Sequence, residues 1–403
     1  MAGRVSSPPY DVISSSEARD MVQGNPHSFL RVIKPEIDFT PENELQGDSL
    51  HEHSSENLKT FIRKGNLVPD DNLCFYIYKI TMGNHTQTGI VAAVSVEEYN
   101  QGLIKKHELT RPDKENDRTR HIEITNANTG PVFLIYRNRG QFQSKISEIN
   151  KQSADITFNA DDGTIHTLWK IDSVDQVDLW KDYFKSIPSL YIADGHHRAA
   201  SASRVQKIRQ NANFNHKGDE LYNYFLSVIF PHDEMQIMDY NRVVKDLNGL
   251  SEEQFVKSIK SNFIVTPIHD SPLPKSNLQN PILDYNYSMY LNGNWYNLEA
   301  RDSIISDDPV EGLEASILQN HLLTPILGID DPRTNKRIDF VGGIRKLSEL
   351  ERRCQLDCAV AFALPPVSIE QLLAVADLGK VMPPKSTWFE PKLRSGLVVR
   401  LID

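Results

Sequence analysis

The segment Tyr191–Arg204, YIADGHHRAASASR, places an aspartate, a glycine, two adjacent histidines and an arginine where an apolar strand meets an alanine-rich helix. Such a turn gathers free backbone N–H groups and the positive end of a helix at one spot, and Gly195 lets a ligand approach the main chain closely. The spot suits an anion. His196, His197 and Arg198 fall in the first turn, where the helix dipole disfavours cations unless negative charge sits beside them, and a phosphate chain would supply it. Arg198 offers a planar fork to phosphate oxygens, the imidazoles can donate to non-bridging oxygens, and Asp194 can hold a divalent ion or orient a histidine. Two other readings stay open. The polar groups can be satisfied by one another and by a nearby carboxylate. Alternatively the histidines bind zinc, but adjacent histidines diverge on a helix, unlike an i, i+4 pair, so distant ligands such as His121 or His166 would be needed.

The elements that must carry this turn can be read from periodicity. Ser14 and Glu17 form a capping box for a short helix ending near Gly24, and SFLRVI (28–33) reads as a strand. Residues 36–60 read as loop and then helix. LCFYIYKI (73–80) and TGIVAAVSV (88–96) flank Met82-Gly83-Asn84 as a β-hairpin, with further strands at PVFLIYR (131–137), IHTLWKI (165–171) and SLYIA (189–193). LSEEQFVKSIKSNF predicts an amphipathic helix, a Pro-rich passage covers 267–281, and YSMYLNGNWYNL reads as a hairpin around Asn292-Gly293. From 310 a helical VEGLEASILQNHLL, the segments RIDFVGGIR and CAVAFAL, a helix SIEQLLAVADLG and an extended tail follow. The expected architecture is α+β, with a core over 1–245, a small α+β module over 246–310 and a C-terminal α/β segment over 311–403.

Composition narrows the function classes. The chain has 403 residues, enough for a large core and two or three domains, with 39% hydrophobic and 24% charged residues in a globular balance. No apolar run approaches the roughly 20 residues that span a bilayer. The start MAGRVSSPPYDVIS has neither a secretory nor an organellar pattern, and Cys74, Cys354 and Cys358 are too few for a disulfide framework, so a cytoplasmic location is expected. A net charge of −10 without a basic block argues against nucleic acid as a partner.

IADGHHRAA resembles the D-G-H-H-R signature of the free serine kinases of the ParB/sulfiredoxin-like superfamily, which phosphorylate free L-serine using ATP or ADP. Two further segments match in the same order. Lys106-His107-Glu108 looks like the segment carrying the kinases' catalytic glutamate, and GKVMPPKSTWFEPK (379–392) looks like the terminal segment that helps bind serine and its phosphate. The whole chain also resembles a large family known by a domain-of-unknown-function label, through PPYDVIS, KKHELTRPDKENDR, YIADGHHRAASA, RIDFVGG and MPPKSTWFEPK. Relatives carry extra residues before PPYDVIS, so an edge strand is expected to be missing. Lys106 stands where the kinases have proline, and Trp388 where they have arginine.

The resemblance implies a small-molecule kinase making O-phospho-L-serine from free L-serine, or acting on a related hydroxy compound, with ATP or ADP and Mg²⁺ as cofactors. Glu108 would accept the hydroxyl proton, with Asp194 and His197 also catalytic; Gly195, His196, His197 and Arg198 would hold the nucleotide phosphates; and Asp194 would hold the metal. The segment HELTRPDKENDRTRH by itself reads as a solvated face of i, i+4 pairs. The family likeness instead moves Thr110 towards the substrate and Lys114 and Arg118 towards phosphate. Tyr10 and Asp11 would line the acceptor pocket or merely begin the sheet. Pro383-Pro384 presents Lys385, Ser386 and Thr387, a trio able to bind an amino-acid carboxylate or its new phosphate. A ParB-like nucleotide-binding switch and a metal-dependent hydrolase are the alternatives. Asn241-Arg242 and Gly342-Gly343 are weaker candidates for the site.

Overall fold

A computed structural model describes residues 1–43, 45–140, 143–268 and 285–403. From position 269 onward the Pro-rich passage at 267–281 lies outside the described residues. The chain forms two compact units, Met1–Met235 with Pro391–Asp403, and Gln236–Glu390. Both are mixed α+β.

The first unit is built on an eight-stranded mixed sheet. Its strands are β1 (Phe75–Met82), β2 (His85–Ser95), β3 (Ile104–Lys105), β4 (Val132–Tyr136), β5 (Ile156–Asn159), β6 (Ile165–Ile171), β7 (Leu190–Asp194) and β8 (Tyr224–Pro231), in the order β3-β7-β4-β8-β2-β1-β6-β5. The expected hairpin is β1–β2, with Met82 opposite His85. Most neighbours are antiparallel, but β3 runs parallel to β7 and β4 parallel to β8. The five residues of β4 are all buried, as a strand covered on both faces requires. Around the sheet lie α1 (Ser15–Met21), α2 (Leu30–Ile33), α3 (Asp48–Arg63), α4 (Pro112–Thr125), α5 (Val174–Lys185) and α6 (His196–Ala212). The alanines of α6 have a packing reason: Ala199, Ala200 and Ala202 are buried, and small side chains let a helix lie close on a sheet carrying Leu134, Ile192 and Phe225.

Among the described residues three helix starts carry the capping box, at Ser14 with Glu17, Ser251 with Gln254 and Ser368 with Gln371. The expected strand at SFLRVI is a helical turn instead. Leu30, Val32 and Ile33 are all buried, in a cluster with Phe29, Leu58 and Phe61, whereas a strand would have sent alternate residues to opposite faces. Arg31 points away and pairs with Asp38.

The second unit holds a six-stranded, wholly antiparallel sheet. It is made of β9 (Tyr240–Val244), β10 (Phe263–Pro267), β11 (Asn286–Leu291), β12 (Asn294–Ala300), β13 (Ile338–Gly342) and β14 (Val360–Ala363), ordered β10-β12-β11-β14-β9-β13. The stretch read as a separate 246–310 module thus shares one sheet with strands from either side of it. The VEGLEASILQNHLL segment is helical over Glu314–Leu318 and continues as a π-turn over Gln319–Leu323. Gly342-Gly343 is a packing device: a Cβ at Gly342 would sit 2.6 Å from the Trp388 ring, and one at Gly343 would sit 2.0 Å from Asp239 Oδ1. No helix among the described residues is long and apolar enough to cross a membrane.

Buried histidines in the first unit tie its stability to pH. His166 Nδ1 bonds the Tyr78 hydroxyl at 2.7 Å and its Nε2 the Thr164 hydroxyl at 2.8 Å; burial and the neighbouring Arg394 bring its pKa down to about 3. His121 Nε2 bonds Ser54 Oγ at 3.0 Å, and burial and Arg118 bring its pKa to about 3 as well. In the unfolded chain both would titrate near pH ~6.5. The unfolded state therefore binds more protons below that value, so stability is fully present above it and is lost as pH falls towards 3. Thermal melts at descending pH are expected to show Tm falling well before the carboxylates titrate, and His166→Gln to flatten the slope. A Tm constant between pH 7 and 4.5 would contradict this.

Candidate active site

The parallel register of β3 on β7 pairs Ile104 with Leu190 and Lys105 with Tyr191, and beyond it His107 hydrogen-bonds the Ile192 backbone, so the segment leading to Glu108 follows the end of β7. Strand β7 ends at Asp194, Gly195 takes a left-handed conformation with φ 93°, and α6 starts at His196 with no side chain capping it. The positive φ needs glycine, and a Cβ there would lie 3.3 Å from Arg198 Cζ, so Gly195 also clears room for the guanidinium.

Glu108 Oε2 lies 3.8 Å from His196 Nδ1. His196 is 5% exposed, and its Nε2 is buried with no hydrogen-bond partner. His107 packs edge-on against it with ring centroids 4.5 Å apart. Burial lowers the pKa of His107 to about 4, and burial with His107 alongside takes His196 well below the ordinary histidine value. Near neutral pH both rings are uncharged, so His196 adds no cation to the positive helix end. His197 Nε2 accepts the Arg111 backbone N–H at 3.0 Å, leaving Nδ1 as its donor.

Arg198 is the fixed positive charge of the turn. Its Nη1 donates to the Pro131 carbonyl, and its Nη2 lies 3.6 Å from Asp11 Oδ2 and 4.0 Å from Asp194 Oδ1. Its Nε and Nη2 are buried and make no hydrogen bond. Burial lowers its pKa, but Asp11 and Asp194 more than offset this and raise it. Asp194 shows the converse. Burial pushes its carboxyl up, yet Lys392, whose Nζ donates to Oδ2 at 3.0 Å, and Arg198 hold it far below the usual carboxylate range.

The remaining expected residues divide. Arg118, on α4, stacks on Tyr10 with its Cζ 4.4 Å from the ring centroid and pairs with Asp117. Burial, then Asp11, raises the Tyr10 pKa. A cavity of about 30 Å³, large enough to admit water, lies among Tyr10, Arg118, His121, Thr129, Gly130 and Arg198. Thr110 donates to Glu115 Oε2 at 2.7 Å, and Lys114 is exposed one turn before Arg118. The segment expected to complete the substrate site is divided at Pro391. Lys385, Ser386 and Thr387 belong to the second unit, where Ser386 Oγ donates to the Pro383 carbonyl at 2.7 Å. Pro391 onward belongs to the first, and delivers Lys392 to Asp194.

The sequence gives no role to Lys392 or His107, although they lie inside the segments GKVMPPKSTWFEPK and KKHELTRPDKENDR. His121 and His166, the distant zinc ligands considered above, are held in the separate hydrogen-bond networks already described. Among the described residues no group of three or more His, Cys, Asp or Glu side chains could hold a metal ion.

A family model described as protein of unknown function (DUF1015) matches residues 1–316. The chain belongs to the DUF1015 family. No curated protein matches this DUF1015 chain. Among solved structures, a free serine kinase in complex with AMP is 12% identical, with a TM-score of 0.37 over 76% of this chain and 92% of its own. A conserved hypothetical protein from Pyrococcus furiosus gives 12% and 0.37 over 76% and 95%. SbnI with a C-terminal truncation, from Staphylococcus aureus, gives 10% and 0.39 over 77% and 87%. At such TM-scores the functional reading rests on the site.

Removing one partner of a buried ion pair strands the other charge. Lys392→Met is therefore expected to lower the unfolding free energy by about 3 kcal/mol in urea titrations. Lys181→Met, which breaks only the exposed pair with Asp178, should change it little. Equal effects would show that the Asp194 charge needs no partner.

Proposed function

We propose that this DUF1015 protein transfers a phosphoryl group from ATP or ADP to the hydroxyl of free L-serine, giving O-phospho-L-serine, or to that of a related hydroxy compound, in a ParB/sulfiredoxin-like core formed by its first unit. The observation that carries the reading is the Glu108 carboxylate, 3.8 Å from His196 at the very helix start that holds Arg198. A proton acceptor beside a cradle for polyphosphate is what phosphoryl transfer to an alcohol asks of a protein, since its catalysis is mostly positioning and charge neutralisation. The ordered D-G-H-H-R, K-H-E and K-S-T segments support the same reading.

The phosphates would lie at Gly195, with the first-turn N–H groups, the Nε2 of His196, the Nδ1 of His197 and the unused N–H groups of Arg198 directed to their oxygens. A neutral His196 imidazole donates a hydrogen bond without adding charge to the positive helix end. Lys114 and Arg118 would extend the positive field along α4, and Tyr10, Asp11 and Thr110 would face the acceptor. Glu108, 32% exposed, is open to a small molecule arriving from solvent and would accept its hydroxyl proton as the bond to phosphorus forms. Asp194 would hold Mg²⁺ through Oδ1, which lies outside its bond to Lys392 and 4.0 Å from Arg198 Nη2, with phosphate oxygens and water as the other ligands. When bound, the ion would neutralise charge on the phosphates.

The protein incubated with L-serine, Mg²⁺ and ATP, ADP or pyrophosphate in turn is expected to yield O-phosphoserine, detected by mass spectrometry. Glu108→Gln should lower turnover by ~10²–10⁴-fold while nucleotide affinity stays nearly constant. Nucleotide binding without product from any donor would favour the switch reading, and full activity in Glu108→Gln would refute the role given to that carboxylate.

A further inference from the structure

The dipeptide Asn241-Arg242 in β9 has one residue whose surroundings are complete and one whose surroundings are not. Asn241 is buried, its Nδ2 donates to Asp239 Oδ2 at 2.5 Å and its Oδ1 accepts the Leu364 N–H at 3.0 Å. Arg242 is 4% exposed, yet its Nη1 donates only to the Tyr240 carbonyl of its own strand. Among the described residues no carboxylate lies within 4.0 Å of its guanidinium. Arg394, likewise buried, meets Asp162, and Arg198 meets Asp11 and Asp194, while Arg400, also drawn down by burial, donates to the Tyr224 and Leu221 carbonyls.

The side chains around Arg242 are aromatic. Phe340 and Phe362 stand directly across the sheet from it, and its Cζ lies 5.5 Å from the Phe340 ring centroid. Tyr240, on the same face of β9, has its ring 6.0 Å from Phe340 and 5.1 Å from Trp388, with Lys385 Nζ 5.7 Å from its centroid. A guanidinium has five N–H donors and stays charged in any protein setting. Burial draws the Arg242 pKa down to about 10, with Tyr240 and Tyr287 only partly offsetting it. A ring face attracts the cation but accepts none of its in-plane N–H groups. An oxyanion would satisfy both the charge and the fork.

We propose that Arg242 anchors an oxyanion site within the second unit, taking a carboxylate or phosphate group on its guanidinium fork beside the Tyr240 and Phe340 rings. The site lies wholly within Gln236–Glu390 and does not depend on the phosphoryl-transfer reading of the first unit.

The chain's four tryptophans provide the test. Trp169 and Trp180 lie in the first unit and Trp295 and Trp388 in the second. In full-length protein carrying 5-fluorotryptophan, with Trp388 assigned through Trp388→Phe, sodium phosphate and sodium acetate are titrated separately against chloride at constant ionic strength. The Trp388 fluorine signal is expected to move saturably with one or both anions, and the anion with the lower midpoint identifies the ligand class. In Arg242→Met the midpoint should rise about tenfold or more, corresponding to ~1.4 kcal/mol. Should that variant fail to fold, Arg242→Lys keeps the charge but not the fork and should also weaken binding. A Trp388 signal that stays still, follows chloride equally, or keeps its midpoint in the folded variant would overturn the proposal, whatever Trp169 and Trp180 report.

Discussion

Taking a guanidinium out of water at the first turn of a helix is costly unless negative groups gather round it. In the first unit that requirement organises the whole helix start. Arg198 is answered by Asp11 from the N-terminal segment, by Asp194 from the end of β7 and by the Pro131 carbonyl that leads into β4. Asp194 needs a second cation of its own, and Lys392 supplies it. Four segments remote in sequence are thus held at one place by charge. None of the Arg198 ion pairs is as short as the Lys392 bond, and two of its nitrogens remain without a hydrogen bond, so the cluster is neutralised but not saturated. That is the condition in which an incoming anion can bind without first breaking a strong contact.

The adjacent histidines then take on a different character from the one their sequence suggests. A pair of imidazoliums beside Arg198 would repel one another and the helix dipole. Burial against His107 keeps His196 neutral, so the turn presents donors for shape and direction and leaves the charge to Arg198. Glu108 meanwhile stands at the open edge of the same cluster.

Much of this was legible in the sequence where the signal is local. The β1–β2 hairpin, the strand-to-helix turn at Gly195 and the capping boxes follow from alternation, a glycine and serine spacing. SFLRVI was not legible, because a short apolar run fits a strand or one helical turn and only the cluster around Phe61 decides between them. The Asp194–Lys392 pair joins positions 198 residues apart, and no periodicity reports a pairing of that kind. Glu108 meets His196 beyond the parallel pairing of β3 with β7, a pairing that neither spacing nor the family likeness reports. The neutral state of the buried histidines is equally a tertiary property, since composition says nothing of burial.

The first unit is interrupted by the second and completed only by Pro391–Asp403, which brings Lys392 to Asp194, Arg394 to Asp162 and Arg400 alongside Asn128. During synthesis the ribosome therefore translates all of Gln236–Glu390 before the residue that neutralises Asp194 exists. A nascent chain that has already made every residue from Tyr10 to Arg198 still lacks one corner of its charge balance. Maturation of this helix start is thus timed by codons translated 198 residues after Asp194 rather than by its own.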